Sequence, residues 1–435
     1  MTQGWDIQQI DVKTAFLHGV LPEDETAYLE QPRGFEEPGK DDWAMKLMKS
    51  IYRLKQVGCI WNQTFDDAVT DWGFQHMESD WCMYCRNTET GTVIFAIHVD
   101  DIFSIAHPPE ENARFKAELR SKWDISDLGP VRFALGIGIK RDLENRSILL
   151  FQTAFIDHLI KCFNLSEAHP ADTPMVQGLH IRCPDKSMPV DPEVTTWMDN
   201  TPYWELVGSL NYIAVATRPD IAFAVGCLAS VLDCYQPEHW STVLRILHYL
   251  KGTRTLQLVL GGLTDNILSS FSDSDFANCP NTSCSIAGYC FGLGSGTISW
   301  RSKKQIDPTD LSCYAEYTAL HGAAREGIFL QQLLQELGLL KFNPEKCVPT
   351  PILCDNDATT CLTKDSVWHP NTKHFHVKLH WMRHQVWTGE LQIRRVPSAD
   401  NIADILTKAL SCSVFKCLHS HLRLCACTTM WGERA

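Results

Sequence analysis

Four carboxylates along the last third of the chain are of a type and spacing that could hold paired divalent ions. They are Asp273 in SSFSDSDF, Glu316 in CYAEYTAL, Asp355 in PILCDNDA and Asp404 in DNIADILTK. A magnesium ion demands near-octahedral oxygen geometry, so its acidic ligands must be gathered from distant segments. Two such ions, roughly 4 Å apart, can activate a water and stabilise the leaving 3′ oxygen of a phosphodiester. Asp273 and Asp355, at neighbouring strand ends, would bridge one ion, and Glu316 and Asp404 would complete the separate shells. A single Asp at a strand end is usually a turn or cap residue, so the reading rests on the set of four. A second acidic constellation lies upstream, with Asp11 in IDVKTAF and Asp100 and Asp101 in IHVDDI. Two metal centres in one chain point to the copying and degradation of nucleic acid.

The elements that must position these groups can be read from apolar periodicity. Residues 91–107 alternate with Val93, Phe95, Ile97 and Val99 on one face, which predicts a hairpin with Asp100 and Asp101 at its turn. Pro108 and Pro109 then open a helix in which Phe115, Leu119 and Trp123 fall four apart. Residues 171–200 read as a connecting segment, and 203–255 as helices interrupted at Pro219. From 262 to 410 the pattern is an ordered alternation. A strand over 267–273 carries Ile267, Ser269, Phe271 and Asp273 on one face and leads into a hairpin across Gly294-Ser295-Gly296. There follow a helix over 313–337, a strand over 350–355, a second helical stretch, a helix over 374–387 and a strand over 391–396. A final helix is expected from an N-cap at Ser398, with Ile402, Ile405 and Leu406 facing the core and Asp404 projecting elsewhere. Hairpin, helices and further strands predict an α/β domain around a central sheet.

At 435 residues the chain exceeds one ordinary core, and 44% hydrophobic content describes a well-buried, multidomain globular protein. No apolar run is long enough to span a membrane and Met1 is followed by no signal peptide, so an intracellular protein without a membrane partner is expected. Its 18 Cys are scattered through apolar segments, which predicts buried reduced thiols. A net charge of −13 argues against sequence-blind binding of nucleic acid. Basic clusters at Arg301, Lys303 and Lys304, and at Arg394 and Arg395, keep that possibility open. Cys82 and Cys85 form a lone C-x-x-C, better read as half-buried thiols than as a zinc site. Cys412, Cys417, His419, His421, Cys425 and Cys427 lie in a tail whose spacing fits no zinc finger and reads as a frayed end. His369, His374, His380 and His384 read as polar helix surface.

The segments SDSDFANC, AEYTALHGAAREGIFLQQLLQELG, CDNDAT, HPNTKHFHVKLHWMRHQV and ADILTKAL resemble the ribonuclease H domain of copia-type LTR retrotransposon Pol polyproteins. IDVKTAFLHG, LEQPRGF, IYRLKQVGCIW and HVDD resemble the reverse transcriptase of the same elements. The resemblance implies four domains. A partial reverse transcriptase palm and thumb, its fingers incomplete, would span 1–170, and a linker and helical connection 171–261. A ribonuclease H-like α/β domain would span 262–410, with an atypical tail over 411–435. It implies metal ligation by Asp11, Asp100 and Asp101 in one centre and by Asp273, Glu316, Asp355 and Asp404 in the other. Two Mg²⁺ would serve each centre, with Mn²⁺ as a substitute. Phe16 would lie under the sugar of an incoming deoxynucleoside triphosphate, and Gln56 near that nucleotide. The implied partners are an RNA template, a DNA primer, an RNA–DNA hybrid, and a second copy or other Pol chains. His98 stands where the family has Tyr, and Arg53 where it has Gly. With the incomplete fingers, these imply an impaired polymerase half. Two rivals stay open: a catalytically inactive relic or domesticated nucleic-acid-binding protein, and a general nuclease acting on DNA.

Overall fold

In the computed structural model the described residues are 5–22, 26–40, 42–184, 192–262, 268–339, 349–364 and 376–426. The chain divides into two compact units, Thr2–Val131 and Arg132–Ala435. Ile267, His369, His374 and Cys427, singled out above, lie outside the described residues.

The first unit is an antiparallel sheet backed by two helices. In chain order it runs β1 (Asp6–Val12), a small ribbon of β2 (Tyr28–Glu30) and β3 (Ala44–Lys46), α1 (Val57–Asp71), β4 (Gln75–His76), β5 (Met83–Asn87), β6 (Thr92–His98), β7 (Asp101–His107), α2 (Glu110–Lys122) and β8 (Ile125–Pro130). The six-stranded sheet has the order β4-β5-β6-β7-β1-β8. Side chains alternate across a strand, and the register uses this: Ile10 lies opposite Ile102, and Asp11 opposite Asp101. Ile10, Val12 and Ile102 join Phe65, Phe95, Phe115 and Trp123 in the core, so Asp11 and Asp101 share the other face. Val99, expected on the hairpin's apolar face, is instead exposed in the turn between β6 and β7.

The second unit opens with β9 (Phe133–Ala134), β10 (Ile137–Asp142), β11 (Ser147–Phe151) and α3 (Thr153–Cys162). A helical stretch follows, comprising α4 (Pro192–Asn200), α5 (Tyr203–Ala216), α6 (Ala222–Ala229) and α7 (Pro237–Gly252), and then β12 (Leu256–Gly261). Next come β13 (Leu268–Asp275), β14 (Ile286–Leu293), β15 (Gly296–Lys304), α8 (Ser312–Glu336), β16 (Thr350–Cys354), α9 (Asp357–Lys364), α10 (His376–Trp387) and β17 (Leu391–Arg395). The unit closes with α11 (Cys412–His421) and β18 (Leu424–Ala426). One sheet has the order β15-β14-β13-β16-β17, in which β16 is parallel to both β13 and β17. Its one face packs Phe291 and Ile352 against Tyr317, Leu320 and Ala324 of α8 and Leu379 and Met382 of α10. Its other face, through Ile286 and Cys290, joins a core shared with α5, α6 and α7.

Three expectations are corrected here. The final helix expected from Ser398 is a pair of 3₁₀ turns, Ser398–Asp400 and Ile402–Leu406. Asn401 caps the second, its side chain accepting from the Ala403 N–H, so the chain turns where a helix would have continued. Among its described residues the tail is structured: Phe415, Leu418 and Leu422 are buried, and β18 pairs with β12 at the edge of the sheet β18-β12-β11-β10-β9. Among the cysteines, Cys183 and Cys234 are joined by a disulfide with Cα atoms 5.8 Å apart, and Cys59, Cys82, Cys162, Cys361, Cys412 and Cys417 are exposed thiols.

Candidate functional site

Asp273 sits near the end of the central strand β13 and is almost wholly buried. Its carboxylate accepts from the Thr407 hydroxyl and pairs with the Lys408 ammonium at 3.2 Å. The same ammonium lies 2.8 Å from Asp404, which rides on the second 3₁₀ turn. That turn is pinned to the strand by Asn401, whose amide donates to the Ser272 carbonyl at 3.1 Å. Opposite Asp273 in the register stands Gly288. A Cβ there would come within 2.7 Å of Thr407 and 2.8 Å of Leu406, so only glycine admits the turn this close.

Glu316 comes from α8 and is buried, and its Oε2 has no hydrogen-bond partner among the described residues. Asp355 follows the last residue of β16. Two groups of ligand atoms form within 4.8 Å of one another: Asp273, Asp355 and Asp404 in one, Glu316, Cys354 and Asp355 in the other. Asp355 belongs to both groups, and Asp273 lies with it in the first. Burial first, then Asp273 and Asp355, push the Glu316 carboxyl up to about 9. Burial and Asp273 likewise push Asp404 up to about 7, although Lys408 opposes the shift. Burial disfavours the Lys408 charge, yet Asp273 and Asp404 outweigh it and hold the ammonium well above its ordinary value. One lysine against four carboxylates leaves an excess of negative charge and a donorless oxygen. An all-oxygen set of this kind suits a hard divalent cation.

Asn401, Gly288, Thr407 and Lys408 were not foreseen as part of this site. Thr407 and Lys408 immediately follow the ADIL segment, so adjacency in sequence was the available signal. Gly288 carried none.

In the first unit, Asp11 and Asp101 face each other across β1 and β7, and the Val12 N–H donates to the Asp100 carbonyl at 2.9 Å. The turn that presents Asp100 holds Val99 at φ 60°, a left-handed conformation that costs a β-branched residue energy. Trp61 fixes it, the indole N–H donating to the Val99 carbonyl at 2.6 Å. Burial, then Asp100 and Asp101, raise the Asp11 carboxyl above its ordinary value. Gln9 donates to Asp101 at 3.2 Å. Phe16 is half-buried edge-on to Tyr52, ring centres 5.4 Å apart, and the Ser50 hydroxyl donates to its carbonyl. Gln56 immediately precedes α1. These three aspartates are less tightly drawn than the second set: among the described residues, the trios closing within 4.8 Å are the two that meet at Asp355.

A groove rich in basic residues lies in the second unit. Arg301, Lys303 and Lys304 of β15, Arg325 of α8 and Lys378 of α10 line it together with Tyr289 and Tyr314. Burial first, then Lys378 and Arg325, press the His321 imidazole down to about 4.

The family model for reverse transcriptase (RNA-dependent DNA polymerase) matches residues 1–177. The chain is 37% identical to a retrovirus-related Pol polyprotein from transposon TNT 1-94 of Nicotiana tabacum, over 94% of this chain and 30% of that protein. It is 30% identical to a transposon Ty5-1 protein of Saccharomyces cerevisiae, over 68% of this chain and 92% of that protein. Among solved structures, ribonuclease H1 from Halobacterium salinarum aligns with 32% of this chain and 93% of its own, at 19% identity and TM-score 0.24. The chain spans under a third of the length of the tobacco polyprotein it matches.

Proposed function

The chain belongs to the copia-type retrotransposon Pol polyproteins, and from that premise we propose that its two acidic centres serve RNA-directed DNA synthesis and ribonuclease H cleavage. The observation that carries the reading is that Asp273, Glu316 and Asp404, from three separate elements, each gather with Asp355 just past β16, in two groups, beside a buried Glu316 oxygen with no partner among the described residues. These residues would hold Mg²⁺, or Mn²⁺ in its place. Bound ions of this kind supply a nucleophile at neutral pH and stabilise the leaving 3′ oxygen. The chain's own residues do the positioning: Lys408 restrains Asp273 and Asp404, while Asn401 and Gly288 fix the turn that carries Asp404. The substrate is the RNA strand of an RNA–DNA hybrid, read largely through backbone shape and 2′ hydroxyls.

In the first unit Asp11, Asp100 and Asp101 would hold the ions that serve primer extension on an RNA template. Phe16 lies under the sugar of the incoming deoxynucleoside triphosphate and Gln56 beside that nucleotide. The protein acts inside the cell, alone, as a pair of copies or with other Pol chains. The test is cleavage of a labelled RNA–DNA hybrid with Mg²⁺. The reading expects metal-dependent cutting of the RNA strand that Asp355→Asn abolishes. A folded sample that binds hybrid and cuts nothing would replace it with a non-catalytic binding protein, and cutting of duplex DNA at equal rate with a general nuclease.

A further inference from the structure

A thiol lies among the carboxylates and has no part in the function proposed above. Cys354 is the last residue of β16, and alternation along that strand puts it on the same face as Ile352, which packs on α8. The Cys354 side chain is fully buried. Its Sγ and one oxygen each of Glu316 and Asp355 all lie within 4.8 Å of one another. Glu316 is itself more than nine-tenths buried, and its Oε2 finds no donor. A cation would satisfy that oxygen.

We propose that Glu316, Cys354 and Asp355 form a mixed thiolate–carboxylate site for a thiophilic divalent cation of the Zn²⁺ and Cd²⁺ class. Hard ions such as Mg²⁺ prefer oxygen and gain little from sulfur. Thiolate ligands select borderline and soft ions. A tetrahedral ion with bonds of ~2.0–2.3 Å holds its ligand atoms roughly 3.5 Å apart, so side-chain rotation of modest size closes the trio around it. Binding breaks the Cys354 S–H bond, forms a metal–sulfur bond and releases the proton to solvent, with no change of oxidation state. Because Glu316 and Asp355 also belong to the oxygen set, the thiophilic ion competes with Mg²⁺ and inhibits. That last step rests on the ribonuclease H reading, whereas the binding does not.

The test uses the whole folded chain after native alkylation of its exposed thiols at Cys59, Cys82, Cys162, Cys361, Cys412 and Cys417. Titration with Cd²⁺ is followed by the ultraviolet thiolate-to-cadmium charge-transfer band. One equivalent should generate the band. Cys354→Ser should lose it and weaken Zn²⁺ binding on the order of tenfold or more, while the thermal shift with Mg²⁺ survives. Glu316→Gln keeps the thiol and should weaken Cd²⁺ binding too, which covers the case of a serine variant that fails to fold. An undiminished band in Cys354→Ser, or none in the folded parent, overturns the proposal. Mg²⁺-dependent cleavage without the band removes the thiol site alone. The band without cleavage removes the ribonuclease H reading alone.

Discussion

Glu316 carries the largest electrostatic burden of the second centre. A carboxyl whose pKa is raised on folding contributes stability that is present at low pH and lost as pH climbs through the folded value, here about 9. The metal-free protein is therefore strained at neutral pH, and Glu316→Gln should raise its Tm by a few degrees, by more at pH 8 than at pH 5. Calorimetry in chelator checks this. The same variant should lose the stabilisation by Mg²⁺ that the parent gains through mass action. Gly288→Ala makes the opposite experiment, because it adds no charge. Its Cβ would press on Thr407 and Leu406 and push away the turn bearing Asp404. Hybrid cleavage should fall about 100-fold at a stability cost of roughly 1–3 kcal/mol, separable by comparing turnover with urea unfolding.

The proximity of Asp273, Asp355 and Asp404, and of Glu316 to Asp355, could be expected from the sequence, and their supports could not, for a physical reason. A carboxylate at the end of an apolar run declares itself by being the wrong polarity in that place. Asn401 and Gly288 look like ordinary loop and strand residues, and their importance comes from a turn docking on a strand more than a hundred positions away. Val99 was misplaced because alternation was carried through a turn that breaks it.

At the scale of elements, the helices of the second unit and α11 meet at one buried charge. Asp220 accepts from Arg218 at 2.7 Å and from the Tyr249 hydroxyl at 2.6 Å, and His419 of α11 lies 3.4 Å away. Burial alone would raise the Asp220 carboxyl, but Arg218 and His419 overcome it and hold the group far below its ordinary value. The sign follows: its stabilisation is complete above the ordinary carboxylate range and drains away as pH falls below it. Asp220→Asn should cost about 3–5 kcal/mol, since Arg218 is left charged and buried, and should flatten the acid limb of the Tm-versus-pH curve. The tail was misjudged at this scale. Its Cys and His count suggested a metal motif or a frayed end, while Phe415, Leu418 and Leu422, spaced three and four apart, already described an amphipathic helix. The final expected helix failed for the converse reason: Ile402, Ile405 and Leu406 suit a helix, and Asn401 diverts the backbone into a 3₁₀ turn.

At the scale of the molecule, a net charge of −13 is compatible with the proposed nucleic-acid substrate because charge is sorted. Asp273 and Glu316 of the second centre are buried, and Arg301, Lys303, Lys304, Arg325 and Lys378 gather in one groove of the same unit. Affinity for hybrid should fall steeply with salt, and replacing both Lys303 and Lys304 by Ala should reduce the log–log slope by roughly one to two. Fluorescence anisotropy across a salt series measures it. An unchanged slope would mean that the groove holds no phosphates.

The pairing of β18 with β12 carries a consequence in time. Leu258 of β12 has Leu424 as its partner, so that edge of the sheet finds its neighbour in a segment synthesised long after it. Until they emerge from the ribosome, β12 offers unpaired backbone groups to any passing strand. Closure of this sheet thus waits for residues far downstream, and long-range pairing of this kind is slow. Chains arrested before Leu424 should be cleaved by protease at β12 well faster than released ones, and should be the species a holding chaperone retains.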